Sequence, residues 1–513
     1  MSKLLHAAAF FAAVAATGLN AAAQTTPAPA TPAPATPSPN TPSPATPSPT
    51  TVELAPSGAW NWYGNPRGIY HNGKIVTGHV TNTGLIQTVT LDLNSHATTA
   101  TTLLTPASLG GEVDDHNPPS FFETSDGRLT AFIAGHNEPD LFYRVASTPG
   151  DATNWGAVNT IGTNVGGGTK GHTYPQAFAL PGETDKVFLS WRGANWNPTY
   201  SVGTYNPADQ TWAWTPAANY IADPANSSSV RPYTLIHGNG QKIGMVFNDN
   251  HPRDASNNLY YAQIARDADG DLAYQRADGS VIRKVSTGPL DLTEAEIVFD
   301  RTAAPTTAGD NSWGWDIAFD ENANPVLTYA SFVPDPAQPN KQSLDTHQYH
   351  YARWNGTSWQ DTTLVTDAGG TIADLTVGNR GEFHYSGGIA LDPSDPDTVY
   401  LSRVIDGQFE IEQWITADAG LTWNVITLTD NPADEDVRPF VPLGLPDDLQ
   451  AVIWMSGQYD YWEPVAGSGG LGAWDTSVQA WINVVPEPAS AAVVALAAVG
   501  LVRRPLQGRG RNA

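Results

Sequence analysis

The segment Thr416-Ala417-Asp418-Ala419-Gly420-Leu421-Thr422-Trp423 decides the fold. Its spacing describes a tight hairpin, in which a carboxylate caps turn amides and a glycine takes the position that needs positive φ. The tryptophan is then placed to plug the gap between two sheets. Looser copies stand at Trp354-Asn355-Gly356-Thr357-Ser358-Trp359 and at Thr124-Ser125-Asp126-Gly127. Such turns are structural markers and carry no catalysis.

Outward from these turns run short stretches of alternating or β-branched residues. Examples are Lys74-Ile75-Val76-Thr77-Gly78, Lys186-Val187-Phe188-Leu189-Ser190 and Thr398-Val399-Tyr400-Leu401-Ser402, with Gly, Asn, Asp and Pro between them. Long helical periodicity is absent. The 17 tryptophans and 18 tyrosines suit strand faces and packing between sheets. Residues 52–483 are too many for one sandwich, and radial repetition removes long exposed edges at this size, so the expected fold is an all-β β-propeller. At roughly 60 residues a blade the length suits seven blades, with six and eight also open.

Both ends of the chain read as addresses. Residues 1–23 have a basic start, an apolar small-residue run and Ala21-Ala22-Ala23, the three parts of a secretory signal peptide. Residues 24–51 are almost entirely Thr, Pro, Ala and Ser, a stiff spacer without core-forming side chains. Residues 484–513 contain Val485-Pro486-Glu487-Pro488, an apolar run and Arg503-Arg504. This order resembles a PEP-CTERM sorting signal, which implies export, processing by an exosortase-type enzyme, and a place at or beyond the cell surface.

Cysteine is absent, which excludes disulfides and thiolate chemistry. The net charge of −26 argues against nucleic acid as a partner. On so acidic a chain, a local cluster of Arg and His is the more telling feature.

That cluster lies between Asp114 and Arg192. It comprises Asp114-Asp115-His116-Asn117, Gly135-His136-Asn137, His172-Thr173-Tyr174-Pro175 and Trp191-Arg192-Gly193, followed by Arg231-Pro232-Tyr233 and His251-Pro252-Arg253. His116 and His136 flank neighbouring strands joined by the turn at Ser125–Gly127. Tyr174 and Arg192 repeat that arrangement one blade on. Any one of these residues alone reads more readily as scaffold, and only the ordered set points to chemistry.

The Asp-box turn and this ordered set resemble the BNR-repeat propellers, a family that includes the propeller-type ulvan lyases. Later segments agree, including Trp315-Asp316-Ile317-Ala318, Gly387-Gly388-Ile389-Ala390 and Arg438-Pro439-Phe440. The resemblance implies β-elimination on an acidic, uronate-containing polysaccharide. His116, His136 and Arg192 would surround the carboxylate, and Tyr174 would be the acid/base, with His116 the competing base. Tyr233, Arg231, Asn117 and His251 would position the substrate. A basic role for Tyr174 requires nearby positive charge to lower its pKa from about 10.

No cofactor is needed for such chemistry. A structural metal has candidate ligands in His251, His347 and His350, although i, i+3 spacing in a strand puts the last two on opposite faces. Two other readings stand beside the lyase. One is a sialidase-like hydrolase using arginines from Arg67, Arg192, Arg231 and Arg438. The other is a non-catalytic carbohydrate-binding surface protein.

Overall fold

The computed structural model describes residues 49–162, 171–194, 196–222, 232–251, 256–302, 310–367, 372, 383–460, 463–464 and 469–485. The expected signal peptide, nearly all of the spacer and almost the whole sorting signal lie outside the described residues, as do Arg231 and Arg253.

Seven antiparallel sheets form the blades of a β-propeller. Blades 1 to 6 occupy residues 68–104, 120–161, 173–214, 234–299, 311–366 and 389–427. Blade 7 takes three strands from 435–484 and its outermost strand, Thr50–Ala55, from the other end of the domain. This closes the ring by hydrogen bonds: Thr50 pairs with Ile482 and Val52 with Ala480. This strand starts at Thr50, within the last two residues of the stretch read as spacer. The physical reason is that Thr50 and Thr51 are β-branched and suit an exposed edge strand.

Strands inside a blade are covered on both faces by neighbouring blades and read as continuous apolar runs. Pro325–Val333 is buried along its whole length except its last residue. Outer strands face water, and Asn424–Thr427 is exposed throughout. The turn at Thr416–Trp423 has the geometry its sequence demands. Asp418 accepts from the Thr422 amide (2.8 Å) and hydroxyl (2.7 Å), and Gly420 has φ 96°. Trp423 meets Tyr351 of blade 5 edge-on at 5.1 Å, filling the gap between the blades. The Trp354–Trp359 turn occupies the same place in blade 5. Thr124–Gly127 instead joins the first two strands of blade 2, so its turn chemistry is reused at a different position.

The segment before blade 1, residues 59–67, runs through the middle of the ring. The Asn61 amide donates to the Asp115 carbonyl of blade 2, and the Ala177 amide of blade 3 donates to the Asn65 carbonyl. The indoles of Trp60 and Trp62 donate to the carbonyls of Arg438 (blade 7) and Gly314 (blade 5), each at 3.2 Å. Trp62 also stacks on Trp315 at 4.2 Å. One peptide thus satisfies backbone groups from four blades and fills the axis with aromatic rings.

We expect Trp62→Ala to destabilise the domain by about 3–5 kcal/mol, the usual cost of deleting a buried aromatic ring. A denaturation midpoint equal to that of the parent protein would show that the segment does not hold the channel.

Candidate active site

Blade 2 brings its two histidines together as a hairpin must. His116 precedes Ser120–Glu123 and His136 follows its antiparallel partner Leu129–Ala134. The rings stack face to face, with centroids 4.0 Å apart and planes 5° from parallel. Between their Nδ1 atoms lies a single carboxylate. Asp114 Oδ1 is 2.5 Å from His116 Nδ1, and Asp114 Oδ2 is 2.9 Å from His136 Nδ1. Asp114 also accepts from the His116 amide at 2.9 Å, which fixes the turn. Asp115 Oδ1 lies 3.0 Å from His116 Nδ1 as an ion-pair contact.

Blade 3 supplies the phenol through a bulge. Thr173 pairs with Arg192 and Gln176 with Ser190, so Tyr174 and Pro175 together oppose Trp191. A bulge of this kind re-aims a side chain. Tyr174 sits at φ 59°, a left-handed conformation that costs a bulky residue on the order of 1–3 kcal/mol and is characteristic of functional sites. Its ring lies 5.2 Å from that of His116, and the Arg192 guanidinium stands 5.0 Å from its centroid.

Arg192 donates to the Tyr233 hydroxyl (3.1 Å), Asn137 Oδ1 (2.9 Å) and Thr173 Oγ1 (3.2 Å). It is buried, with 8% of its surface exposed, and among the described residues no carboxylate pairs with it. Tyr63, from the axial segment, packs beneath Tyr174 and Tyr233 with ring centroids 5.2 and 5.3 Å away.

Burial disfavours charge on both imidazoles. At His116 the two carboxylates of Asp114 and Asp115 outweigh burial and lift the pKa to about 9. At His136 burial and the adjacent His116 cation prevail over Asp114, and the pKa falls to about 4. The stacked pair therefore holds one added proton near neutrality, on His116. Because each Nδ1 faces an acceptor-only carboxylate, the lone pair of neutral His136 lies on Nε2.

Tyr174 departs from expectation. Burial, reinforced by Tyr233, raises its pKa well above 10, and the opposing pull of Arg192 does not offset them. The site thus holds a neutral phenol. Glu112, which accepts from the His136 amide (2.9 Å) and Asn117 Nδ2 (3.0 Å), is pushed up to about 7 by burial and by Asp114.

The structure thus gathers His116, His136, Tyr174, Arg192 and Tyr233 into one cluster. Asn117 is buried and turned to Glu112, and His251 packs edge-on against the rings of Tyr233 and Trp313 at 4.8 and 5.1 Å. The expected metal ligands do not meet. His350 bonds Ser331 and stacks on Tyr329, whereas His347 packs on Phe332 and near His384, on the other face of the same strand. The Asp114–His116–His136 group does not suit an ion either. Its two Nδ1 atoms stand at hydrogen-bond length from the Asp114 oxygens, 2.5 and 2.9 Å, which leaves no room for an ion between them.

Sequence reading assigned no role to Asp114, Asp115 and Glu112, although the Asp-Asp-His adjacency was visible. It gave no signal for Tyr63 or for Tyr459, whose hydroxyl donates to Asp115 Oδ2 at 2.6 Å. Arg438, named above as a hydrolase arginine, is fully buried. It donates to Asp115 Oδ2 (2.8 Å) and the Trp60 carbonyl (2.7 Å). Arg67 donates to the carbonyls of Asn61 and Gly64 inside the axial segment.

Among solved structures, the chain is similar in fold to an ulvan lyase of polysaccharide lyase family PL25, solved bound to -[GlcA(1-4)Rha3S]-. The TM-score is 0.60 at 12% identity, over 84% of this chain and 95% of that one. It is also similar to the polysaccharide lyase Uly1, with a TM-score of 0.54 at 14% identity, over 84% and 91% of the two chains. No curated protein matches by sequence. The BNR repeat-containing family matches residues 74–367. That stretch runs from blade 1 through blade 5 and includes both histidines, Tyr174, Arg192 and Tyr233, so the chain belongs to the BNR repeat-containing family.

Proposed function

We propose that the protein is a polysaccharide lyase that cleaves a uronate-containing polymer by β-elimination. One observation carries this reading: a buried guanidinium with no carboxylate partner among the described residues, Arg192, stands beside a neutral phenol and a charged–neutral histidine pair. An uncompensated buried cation is costly, and a carboxylate ligand would relieve that cost. The likeness in fold to ulvan lyases suggests polymers of the ulvan kind as the first substrates to try.

Elimination at a uronate needs three functions. The carboxylate must be neutralised so that charge can spread onto it as the C5 proton leaves. A base must take that proton, and an acid must protonate the departing oxygen on C4. Arg192 and protonated His116 neutralise the carboxylate. His136, held neutral with its Nε2 lone pair, takes the C5 proton. The C5–H electron pair forms the C4–C5 double bond, the C4–O4 bond breaks, and Tyr174 gives its proton to O4. The product is an unsaturated uronate and a new chain end, and the enzyme resets when the proton on His136 returns to the phenolate through solvent.

This assigns the base to His136 in place of Tyr174 or His116, because the first is too weakly acidic to be ionised at neutral pH and the second is already protonated. The hydrolase alternative is disfavoured by Arg67 and Arg438, which are committed to structural partners.

The direct test is a panel of uronate polymers scored for ultraviolet absorbance of the unsaturated product. New reducing ends without that absorbance would establish hydrolysis, and binding without any product would establish a carbohydrate-binding protein. Replacing Tyr174 with Phe should lower kcat by about 10²-fold or more with little change in substrate affinity, the scale of a general acid. Normal turnover would remove Tyr174 from the mechanism. In the parent enzyme, kcat/KM should stay high through neutral pH and fall as pH passes about 9, where His116 loses its proton. A profile that keeps rising through that point would contradict a cationic His116.

A further inference from the structure

Two histidines on one carboxylate pose a question that neither the fold nor the elimination chemistry answers: what decides which ring is charged? Asp114 does not, since it offers one oxygen to each ring, at 2.5 and 2.9 Å. The asymmetry lies behind His116. Asp115 is wholly buried, with Oδ1 3.0 Å from His116 Nδ1. Its Oδ2 accepts from Arg438 Nη1 at 2.8 Å and from the Tyr459 hydroxyl at 2.6 Å.

Arg438 and Tyr459 come from blade 7, on the far side of the ring closure. Arg438 is itself clamped. Its guanidinium lies 4.4 Å from the Tyr459 ring centroid and donates to the carbonyl of Trp60 in the axial segment. It sits at φ 56° in a bulge of the inner strand, where Val437 pairs with Met455 and Phe440 with Ile453. Two blades and the axial segment thus fix the position of one carboxylate against one imidazole.

We propose that Asp115, held by Arg438 and Tyr459, is a positioning residue that places the shared proton on His116 and leaves His136 neutral. The groups facing the pair are consistent with this. Asp114 and Asp115 approach from the histidines' own segment, and Glu112 reaches the His136 amide from the turn before it. Tyr174 and Arg192 approach from blade 3, and Arg438 and Tyr459 from blade 7. Among the described residues, a second carboxylate, Asp115, contacts His116, while Arg192 adds repulsion at His136. The catalytic meaning of the partition rests on the elimination mechanism above, whereas the partition itself is a property of the unliganded protein.

The test is therefore made without substrate. Nuclear magnetic resonance would follow the imidazole nitrogens of the full chain across pH, with His116→Gln and His136→Gln variants providing assignments. In Asp115→Asn, which keeps the shape and the acceptor oxygen but removes the charge, the His116 midpoint should fall by about one pH unit or more. The His136 midpoint should rise, because its neighbour is less often a cation. Tyr459→Phe removes one donor from Asp115, leaves Arg438 in place, and should move His116 upward. Opposite responses in these two variants are not expected from general loosening of the site. Unchanged midpoints, or both variants moving His116 the same way, would overturn the proposal. If Asp115→Asn does not fold, Tyr459→Phe decides alone: an upward shift supports the proposal, and none refutes it. Loss or absence of lyase activity has no bearing on these midpoints, so failure of the functional reading and failure of this inference are distinguishable.

Discussion

Seven radial sheets leave a hole on their common axis, and in this protein residues 59–67 fill it. Everything near the site leans on that peptide. Its backbone pairs with blades 2 and 3, and its indoles donate to blades 5 and 7. Its Tyr63 ring lies beneath Tyr174 and Tyr233. A propeller packed only blade against blade would fix neighbours. The axial segment ties together blades that are not neighbours, and so sets distances across the funnel where the chemistry is proposed.

Two bulges exploit that rigidity. Tyr174 and Arg438 each sit at positive φ on an inner strand, and each is followed by proline. The strain at such positions persists only where the surroundings over-determine it. Tyr174 is held by Tyr63, His116 and Arg192. Arg438 is held by Asp115, Tyr459 and the Trp60 carbonyl. The first bulge carries the proposed proton donor, and the second anchors the carboxylate behind the histidine pair. One device on two blades thus serves two linked purposes.

The electrostatics follow from burial. In water, Asp114, His116 and His136 would titrate independently. Stacked and enclosed, the two rings compete for one proton, and the histidine with the second carboxylate holds it. The same burial keeps Tyr174 neutral, against the expectation that nearby cations would ionise it. Desolvation acts on every group in the enclosure, whereas a single guanidinium acts on the phenol at ring-contact distance, and desolvation prevails.

The sequence by itself determined the repeat and the order of the site. Asp418, Gly420 and Trp423 encode a turn whose hydrogen bonds are local, and His116, His136, Tyr174 and Arg192 flank strands only a hairpin apart. These features were legible because they depend on residues close in the chain. Tertiary structure alone decided which groups carry charge and what stands behind them. Asp115 and Arg438 are separated by 323 residues, and Trp62 meets Gly314 across 252. Only ring closure brings such pairs together, and no local pattern records it. The protonation states depend on the same closure, because burial of these groups is produced by the blades that meet around them.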